Sequence, residues 1–164
     1  MPTQDLLTSL PCRRLFQQRL DSELSVPHHR RQTIAVLDID IHRLHDVYER
    51  HGRQTCDFVL QILADRLKLS TRRQDLACRL SSHQFGYLVK GLPDRHRLRR
   101  FVGNLCETLS APLRVRQRYF WMPPTIGIAM RPPAGVTAEE LLRRADAAAQ
   151  AAQHGGARYT FFAG

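Results

Sequence analysis

The sequence predicts an α/β fold in a single domain, with a mixed central sheet of about five strands flanked by helices. Short β-prone apolar segments alternate with longer segments whose apolar residues recur at helical spacing. In the middle of the chain, two apolar segments are separated only by the polar residues Ser81-Ser82-His83-Gln84, the pattern of an antiparallel hairpin. The chain has 164 residues, 43% of them hydrophobic, which is enough for one core without disulfides.

The first part of the chain is expected to form a helix, a strand and two further helices. Residues 12–23 place their apolar side chains on one helical face, and residues 25–31 form a loop that contains a proline. Residues 32–39 are rich in β-branched and apolar side chains and predict a buried strand. Helical spacing then predicts a short helix over 41–48 and a clearer one over 57–67.

The middle of the chain predicts the hairpin and the helix that follows it. Its strands cover 76–80 and 84–90. Asp94 comes directly after a proline and is a suitable N-cap for the next helix, whose apolar residues form one stripe. The hairpin therefore lies between two amphipathic helices.

The last part predicts two strands, a helix and a final strand. The strands cover 113–119 and 125–130, on either side of a proline pair. Thr137 and Glu140 have the spacing of a capping box and open a helix that ends at a glycine pair. Residues 158–162 form the last strand of the sheet.

Composition narrows the classes of function. The net charge is +10 and comes almost entirely from arginine, which suits phosphates and guanine edges. The arginines are scattered and no nucleic-acid-binding motif accompanies them, so we do not expect nucleic acid as a partner. No apolar run is long enough for a membrane span and no signal pattern is present, so we expect a cytoplasmic protein. The cysteines lack zinc-site spacing and are expected to be reduced: Cys12, Cys56, Cys78 and Cys106.

Two carboxylates close the first strand in the segment LDID. Asp38 and Asp40 are oxygen donors of the kind that hold Mg²⁺, although a strand-end cap or a surface carboxylate explains the same pattern. The residue pattern alone leaves these alternatives open.

The chain resembles the GGDEF domains, the diguanylate cyclase family, from about residue 5 to residue 162. The similar segments occur in the order of the family: DLLTSLPCRRLF, LDIDIHRL, HGRQTCDFVLQILADRL, RRQDLACRLSSHQF and ADAAAQAAQHGGARYTFF. The resemblance implies that residues 1–164 form a single GGDEF domain with a fold like the palm of nucleotidyl cyclases. In active members, Mg²⁺ ions between two acidic side chains stabilise phosphate charge while one GTP attacks another.

The register of the resemblance assigns roles to individual residues. If Asp40 takes the place of the metal aspartate, Asp57 falls on the guanine-binding aspartate without a gap. The motif itself then reads Ser81-Ser82-His83-Gln84-Phe85, in which only the phenylalanine is kept. Further departures are Tyr48 for the guanine-reading asparagine, Gln153 for the phosphate-binding lysine and Ala157 for the arginine after it.

These departures imply a degenerate domain that is not an enzyme. Asp40 and Asp57 are then a vestigial nucleotide site, with no catalytic residue, no cofactor, and Mg²⁺ binding that is lost or weak. A neutral imidazole suits zinc-like ions better than Mg²⁺, so a zinc site from Asp40 and His83 and a solvated turn histidine are both open alternatives. GTP binding as an allosteric signal is a further alternative.

Arg72 and Asp75 match the family's R-x-x-D inhibitory site, which binds cyclic di-GMP. Asp75 lies eight residues before His83, which is the family's own interval. Arginine pairs with a guanine edge or a phosphate, and a carboxylate accepts from guanine N–H groups; a basic loop capped by an aspartate is the plainer explanation. The resemblance implies a regulatory domain that senses cyclic di-GMP, with a neighbouring EAL or sensor domain or a homodimer as partners. The alternative is a nucleotide-independent scaffold that regulates an adjacent EAL phosphodiesterase domain.

Overall fold

The computed structural model describes residues 3–27 and 32–163, and part of the loop expected over 25–31 lies outside these residues. The elements are, in chain order, α1 (Arg13–Leu24), β1 (Ile34–Asp40), α2 (Leu44–Ser70), β2 (Leu76–Arg79), β3 (Gln84–Lys90), α3 (Arg95–Ser110), β4 (Leu113–Val115), β5 (Arg118–Phe120), β6 (Thr125–Met130), α4 (Ala138–His154) and β7 (Tyr159–Phe161).

The central sheet has five strands in the order β2-β3-β1-β6-β7. Strand β1 lies in the middle and pairs antiparallel with both β3 and β6. Strand β7 pairs parallel with β6, so the sheet is mixed. The predicted α/β fold with a mixed five-stranded sheet is confirmed.

Helices cover both faces of this sheet. Alternate residues of β1 point to opposite faces, and every residue of β1 is buried. Leu37 and Ile39 pack in a core with the apolar sides of α2 and α3. Val36 packs on the other face with α1 and α4. The C-terminal end of β1 therefore places Asp40 at one end of the central strand, between two helical layers.

Two glycines set the geometry of the helices near that edge. At Gly127 in β6, an added Cβ would lie 2.0 Å from the carbonyl oxygen of Ala145, so only glycine lets α4 pack this closely on the sheet. At Gly52, α2 is interrupted by a left-handed residue with φ 86°. The two helices expected over 41–48 and 57–67 are thus one long helical run with a break at Gly52.

The prediction of one strand over 113–119 was wrong in its extent. Strands β4 and β5 form a separate two-stranded sheet with a turn between them. Arg116 in this turn has φ 60°, a conformation that usually marks glycine or asparagine, so the sequence carried no turn signal there.

The capping predictions are confirmed. Asp94 accepts a hydrogen bond from the Arg97 N–H, and Thr137 accepts one from the Glu140 N–H. Across residues 3–27 and 32–163, no helix is both long and apolar enough to cross a membrane.

Candidate nucleotide cleft and arginine–aspartate site

A cavity of about 600 Å³ opens between the C-terminal end of β1, the first half of α2 and the β2–β3 turn. We call it the hairpin cleft. The structure brings together in it six positions that the sequence register had assigned to the nucleotide: Asp40, Tyr48, Asp57, Ser82, His83 and Gln153. Arg53 and Arg79 also line it.

Side chains hold the β2–β3 turn in place of glycines. Ser81 donates its hydroxyl proton to Gln84 Oε1 at 2.8 Å. Arg79 donates from Nε to the Ser81 carbonyl at 3.1 Å and from Nη2 to the Ser82 carbonyl at 3.2 Å. Its Nη1 pairs with Asp5 at 3.1 Å. Arg79 therefore stabilises the turn, and its guanidinium is already bonded to protein atoms. The Ser82 and His83 side chains lie at the mouth of the cleft.

Gln84 does not line the hairpin cleft. Its amide nitrogen donates to both carboxylate oxygens of Asp38, at 3.0 and 3.2 Å, and to Asp146 Oδ1 at 3.2 Å. These three side chains line a second cavity of about 440 Å³ beside α1 and α4. Burial raises the pKa of Asp38 to about 7, and repulsion from Asp146 and Asp40 adds to the rise. The neutral amide thus donates to both carboxylates.

Asp40 is buried, with 7% of its surface exposed. Its Oδ1 has no hydrogen-bond partner among the described residues. Burial raises the pKa of Asp40, although the nearby His83 and His42 oppose the rise. An orphaned buried oxygen is compatible with a cation ligand, so the rest of the donor set decides whether a metal fits.

That donor set does not fit a magnesium pair. The cleft contains two carboxylates, Asp40 and Asp57, and two guanidinium groups, Arg53 and Arg79, so its formal charge is zero with neutral imidazoles. His83 offers nitrogen where Mg²⁺ requires oxygen. Within residues 3–27 and 32–163, no group of three or more His, Cys, Asp or Glu side chains is placed to hold a metal ion.

Arg72 and Asp75 lie at the end of the β2–β3 hairpin away from its turn, beside Lys90, and are bonded to each other. Arg72 donates from Nε to Asp75 Oδ2 at 2.6 Å and from Nη2 to Oδ1 at 3.0 Å. The Tyr87 hydroxyl donates to Oδ2 at 2.6 Å, and the Lys90 N–H donates to Oδ1 at 3.0 Å. The Asp75 side chain is 0% exposed and accepts four hydrogen bonds. It anchors Arg72 from beneath the surface.

Arg72 keeps one edge of its guanidinium, the Nη1 N–H groups, available. Its Nη2 also donates to the Lys90 carbonyl at 2.7 Å, and the group lies 5.3 Å from the centre of the Phe101 ring. Nη1 has no hydrogen-bond partner among the described residues, and 27% of the side chain is exposed. Arg73 is exposed beside it, whereas Arg79 is hydrogen-bonded to the β2–β3 turn.

Sequence reasoning missed Tyr87, which closes the hydrogen-bond set of Asp75. Burial raises the pKa of Tyr87, and the hydrogen bond to Asp75 adds to the rise, so the phenol stays protonated and donates. The only signal available was a tyrosine at an inward position of a strand that is otherwise apolar.

Comparisons with known proteins identify the family and the fold of the chain. The family model "Diguanylate cyclase, GGDEF domain" matches residues 3–158. The diguanylate cyclase TpbB of Pseudomonas aeruginosa is 34% identical over 145 residues, which cover 88% of this chain and 33% of TpbB. A solved structure of the GGDEF domain of TpbB has a TM-score of 0.90 at 31% identity and covers 98% of this chain and 94% of that one.

Two further relatives extend the comparison. MucR of Pseudomonas aeruginosa, a bifunctional diguanylate cyclase/cyclic di-GMP phosphodiesterase, is 30% identical over 159 residues, which cover 96% of this chain and 23% of MucR. The GGDEF domain of DgcB from Caulobacter crescentus, solved in complex with c-di-GMP, has a TM-score of 0.90 at 23% identity, covers 98% of this chain and 96% of that one, and supports the fold alone. The chain spans a third or less of the length of the curated relatives TpbB and MucR.

Proposed function

The chain belongs to the GGDEF family of diguanylate cyclase domains, and we propose that it is a member without cyclase activity that senses cyclic di-GMP through Arg72. Different residues support the loss of the cyclase reaction and the retained binding of cyclic di-GMP.

The proposed loss of cyclase activity is supported by the charge of the hairpin cleft. Cyclisation of GTP requires metal ions that neutralise a triphosphate, and these ions require paired carboxylates. Here a histidine, His83, stands where the family motif has an acidic residue, and the formal charges in the cleft cancel. Loss of a single transition-state-stabilising group costs about 3–4 kcal/mol, and several groups are absent at once.

The proposed binding of cyclic di-GMP is supported by one observation, the geometry of Arg72. Its two Nη1 N–H groups have no partner among the described residues, while the other three donors fix the plane of the guanidinium. A guanidinium held in this way is ready to pair with the acceptor edge of guanine or with a phosphate. The structure of DgcB with c-di-GMP provides a family precedent for the ligand, for that protein.

Asp75 has a different part in this proposal. Its four accepted hydrogen bonds leave no lone pair for guanine unless a bond to Arg72 or Tyr87 is given up. Asp75 therefore acts mainly by positioning Arg72, with a direct contact to the ligand only after rearrangement. The ligand is expected to meet Arg72 first.

Calorimetric titration with cyclic di-GMP tests the sensing function. Arg72→Ala is a poor variant because it strips a buried carboxylate of its ion pair, which costs about 3–5 kcal/mol and threatens the fold. Arg72→Lys keeps a positive charge beside Asp75 and loses the planar fork, so we expect affinity to fall at least about tenfold, with a smaller loss of melting temperature than for Arg72→Ala. Arg100→Lys, at an exposed position on α3, is the matched control and should bind like the parent.

The parent protein should bind cyclic di-GMP in the micromolar range. Absence of binding heat from the parent at millimolar ligand would refute the sensing function. Equal affinities for the parent and Arg72→Lys would instead locate the ligand elsewhere.

A nucleotide-independent scaffold that regulates an adjacent EAL domain is the second candidate. The last strand is fastened to both helical layers, because Phe161 lies under Arg95 at 4.2 Å and Phe162 lies 5.3 Å from Arg144. A domain joined after this strand would be coupled to α3 and α4, and MucR shows by its name that cyclase and phosphodiesterase functions can share a chain. Co-purification with an EAL domain that is unaffected by cyclic di-GMP and by GTP would favour this candidate.

A further inference from the structure

Arginines that are scattered along the sequence come together where the β4–β5 hairpin meets the first part of α2. The ring of Phe120 in β5 lies edge-on to His51 at 5.2 Å, which fixes the β4–β5 hairpin against the first part of α2. We call the surface formed there the arginine–aromatic face; its members are Arg50, Arg114, Arg116, Arg118, Tyr119 and Trp121. Residues 108–138, which include the hairpin, contain four arginines and no aspartate or glutamate.

Part of this face is a cleft of about 600 Å³ between α2 and the hairpin, lined by Arg50, Arg116 and Arg118 and by no carboxylate. Within residues 3–27 and 32–163, none of these three arginines has a carboxylate partner. Arg116 instead donates to the neutral Gln54 side chain at 2.8 Å. Several cations in one concave site without counter-charge form a strong attraction for phosphate.

Two exposed aromatic rings lie outside the cleft. Trp121 lies against Arg43 at the N-terminal end of α2, and Tyr119 lies on the outer side of the hairpin with Arg114, its partner in the β4–β5 pairing. Tyr119 is 72% exposed and Trp121 is 58% exposed, which is unusual for rings of this size. Arg114 lies 5.8 Å from the Tyr119 ring centre, and Arg43 lies 5.7 Å from that of Trp121. Rings that are steadied by an arginine on one side and open on the other are suited to stack with flat, uncharged groups.

We propose that the arginine–aromatic face binds single-stranded nucleic acid, with phosphates in the arginine cleft and bases stacked on Tyr119 and Trp121. A duplex hides its bases from such rings, and an acidic peptide supplies charge without flat bases. The arginines are dispersed along the sequence, which is why we did not expect nucleic acid as a partner. The fold brings some of them together, because α2 packs against a hairpin that follows more than sixty residues later. The proposal does not depend on the sensing of cyclic di-GMP.

The test measures the binding of a labelled 15-nucleotide oligouridylate to the whole protein by fluorescence anisotropy at several salt concentrations. Trp121 is the only tryptophan in the chain, so stacking should also quench the intrinsic fluorescence. The variant Arg116→Gln/Arg118→Gln should bind at least about tenfold more weakly, and the slope of log affinity against log salt should become shallower by about 1.4. Trp121→Leu should weaken binding and leave that slope unchanged.

The matched control is Arg14→Gln/Arg19→Gln, which removes the same charge from exposed positions of α1 on the other face of the sheet. It should bind like the parent, and melting curves of all variants should coincide. Equal weakening by both double variants would overturn the proposal in favour of unspecific surface charge. Equal affinity for a duplex or for polyglutamate, absence of tryptophan quenching, or no binding at 50 mM salt would also overturn it.

Discussion

Replacing Asp38 with asparagine is expected to stabilise the protein above neutral pH. The carboxylate is almost fully buried, and among the described residues its hydrogen bonds come from the amide of Gln84 alone. Burial, with repulsion from Asp146 and Asp40, raises the pKa of Asp38 from its ordinary value of 3.8 to about 7. An asparagine has the same shape, accepts from Gln84 through its carbonyl and can donate to Asp146.

The size of the effect follows from the displaced pKa. Because the folded protein binds this proton more tightly than the unfolded chain, the associated stability is complete below pH 3.8 and is lost as the pH rises to about 7. A displacement of roughly three pH units corresponds to about 4 kcal/mol at most. Asparagine does not titrate, so the variant should exceed the parent by up to about 4 kcal/mol at pH 8 and by little at pH 4.

Urea unfolding of both proteins between pH 4 and pH 8.5 measures this difference. Asp21→Asn, at an exposed position of α1, controls for the loss of one negative charge from a basic protein. The expected result is a gap between parent and Asp38→Asn that widens from pH 4 to pH 7 and then stays constant. A parent that is as stable as the variant at pH 8, or a gap that narrows with pH, would refute the reasoning.

Three further substitutions test the packing that supports the two sites. Tyr87→Phe removes the hydroxyl that donates to Asp75 at 2.6 Å, and chemical unfolding should show a loss of about 1–3 kcal/mol together with weaker cyclic di-GMP binding. Gly127→Ala places a methyl group 2.0 Å from the Ala145 carbonyl oxygen, so little folded protein should be recovered. A melting temperature like that of the parent would contradict the close packing of α4 on the sheet. Thr137→Ala removes an N-cap and should cost about 1 kcal/mol in the same unfolding assay.

Local sequence patterns were sufficient for most of the fold because their causes are local. The spacing of Thr137 and Glu140 fixes where α4 begins, and the polar turn between two apolar segments fixes the β2–β3 hairpin. The β4–β5 turn was missed because Arg116 adopts a left-handed conformation without a glycine or asparagine to indicate it. Its strands are three residues long, too short for alternation to be recognised.

The candidate site was predictable in its membership and not in its contacts. The register placed Asp40 and His83 close together, and both residues line the hairpin cleft in the structure. The orientation of Gln84 towards Asp38 depends on an aspartate of α4 that lies 62 residues away along the chain. Contacts of this kind arise from the crossing of α4 over the sheet, which no local pattern encodes.

The most direct test of the central claim is whether the hairpin cleft can convert GTP. The protein, fused to a coiled coil that enforces dimerisation, is incubated with GTP and Mg²⁺ or Mn²⁺, and cyclic di-GMP is quantified by chromatography. A variant with the family motif restored serves as the positive control, with the changes Tyr48→Asn, Ser81→Gly, Ser82→Gly, His83→Asp and Gln84→Glu. We predict no cyclic di-GMP from the parent above the enzyme-free blank, and formation by the parent at a rate comparable to that of the control would contradict the account.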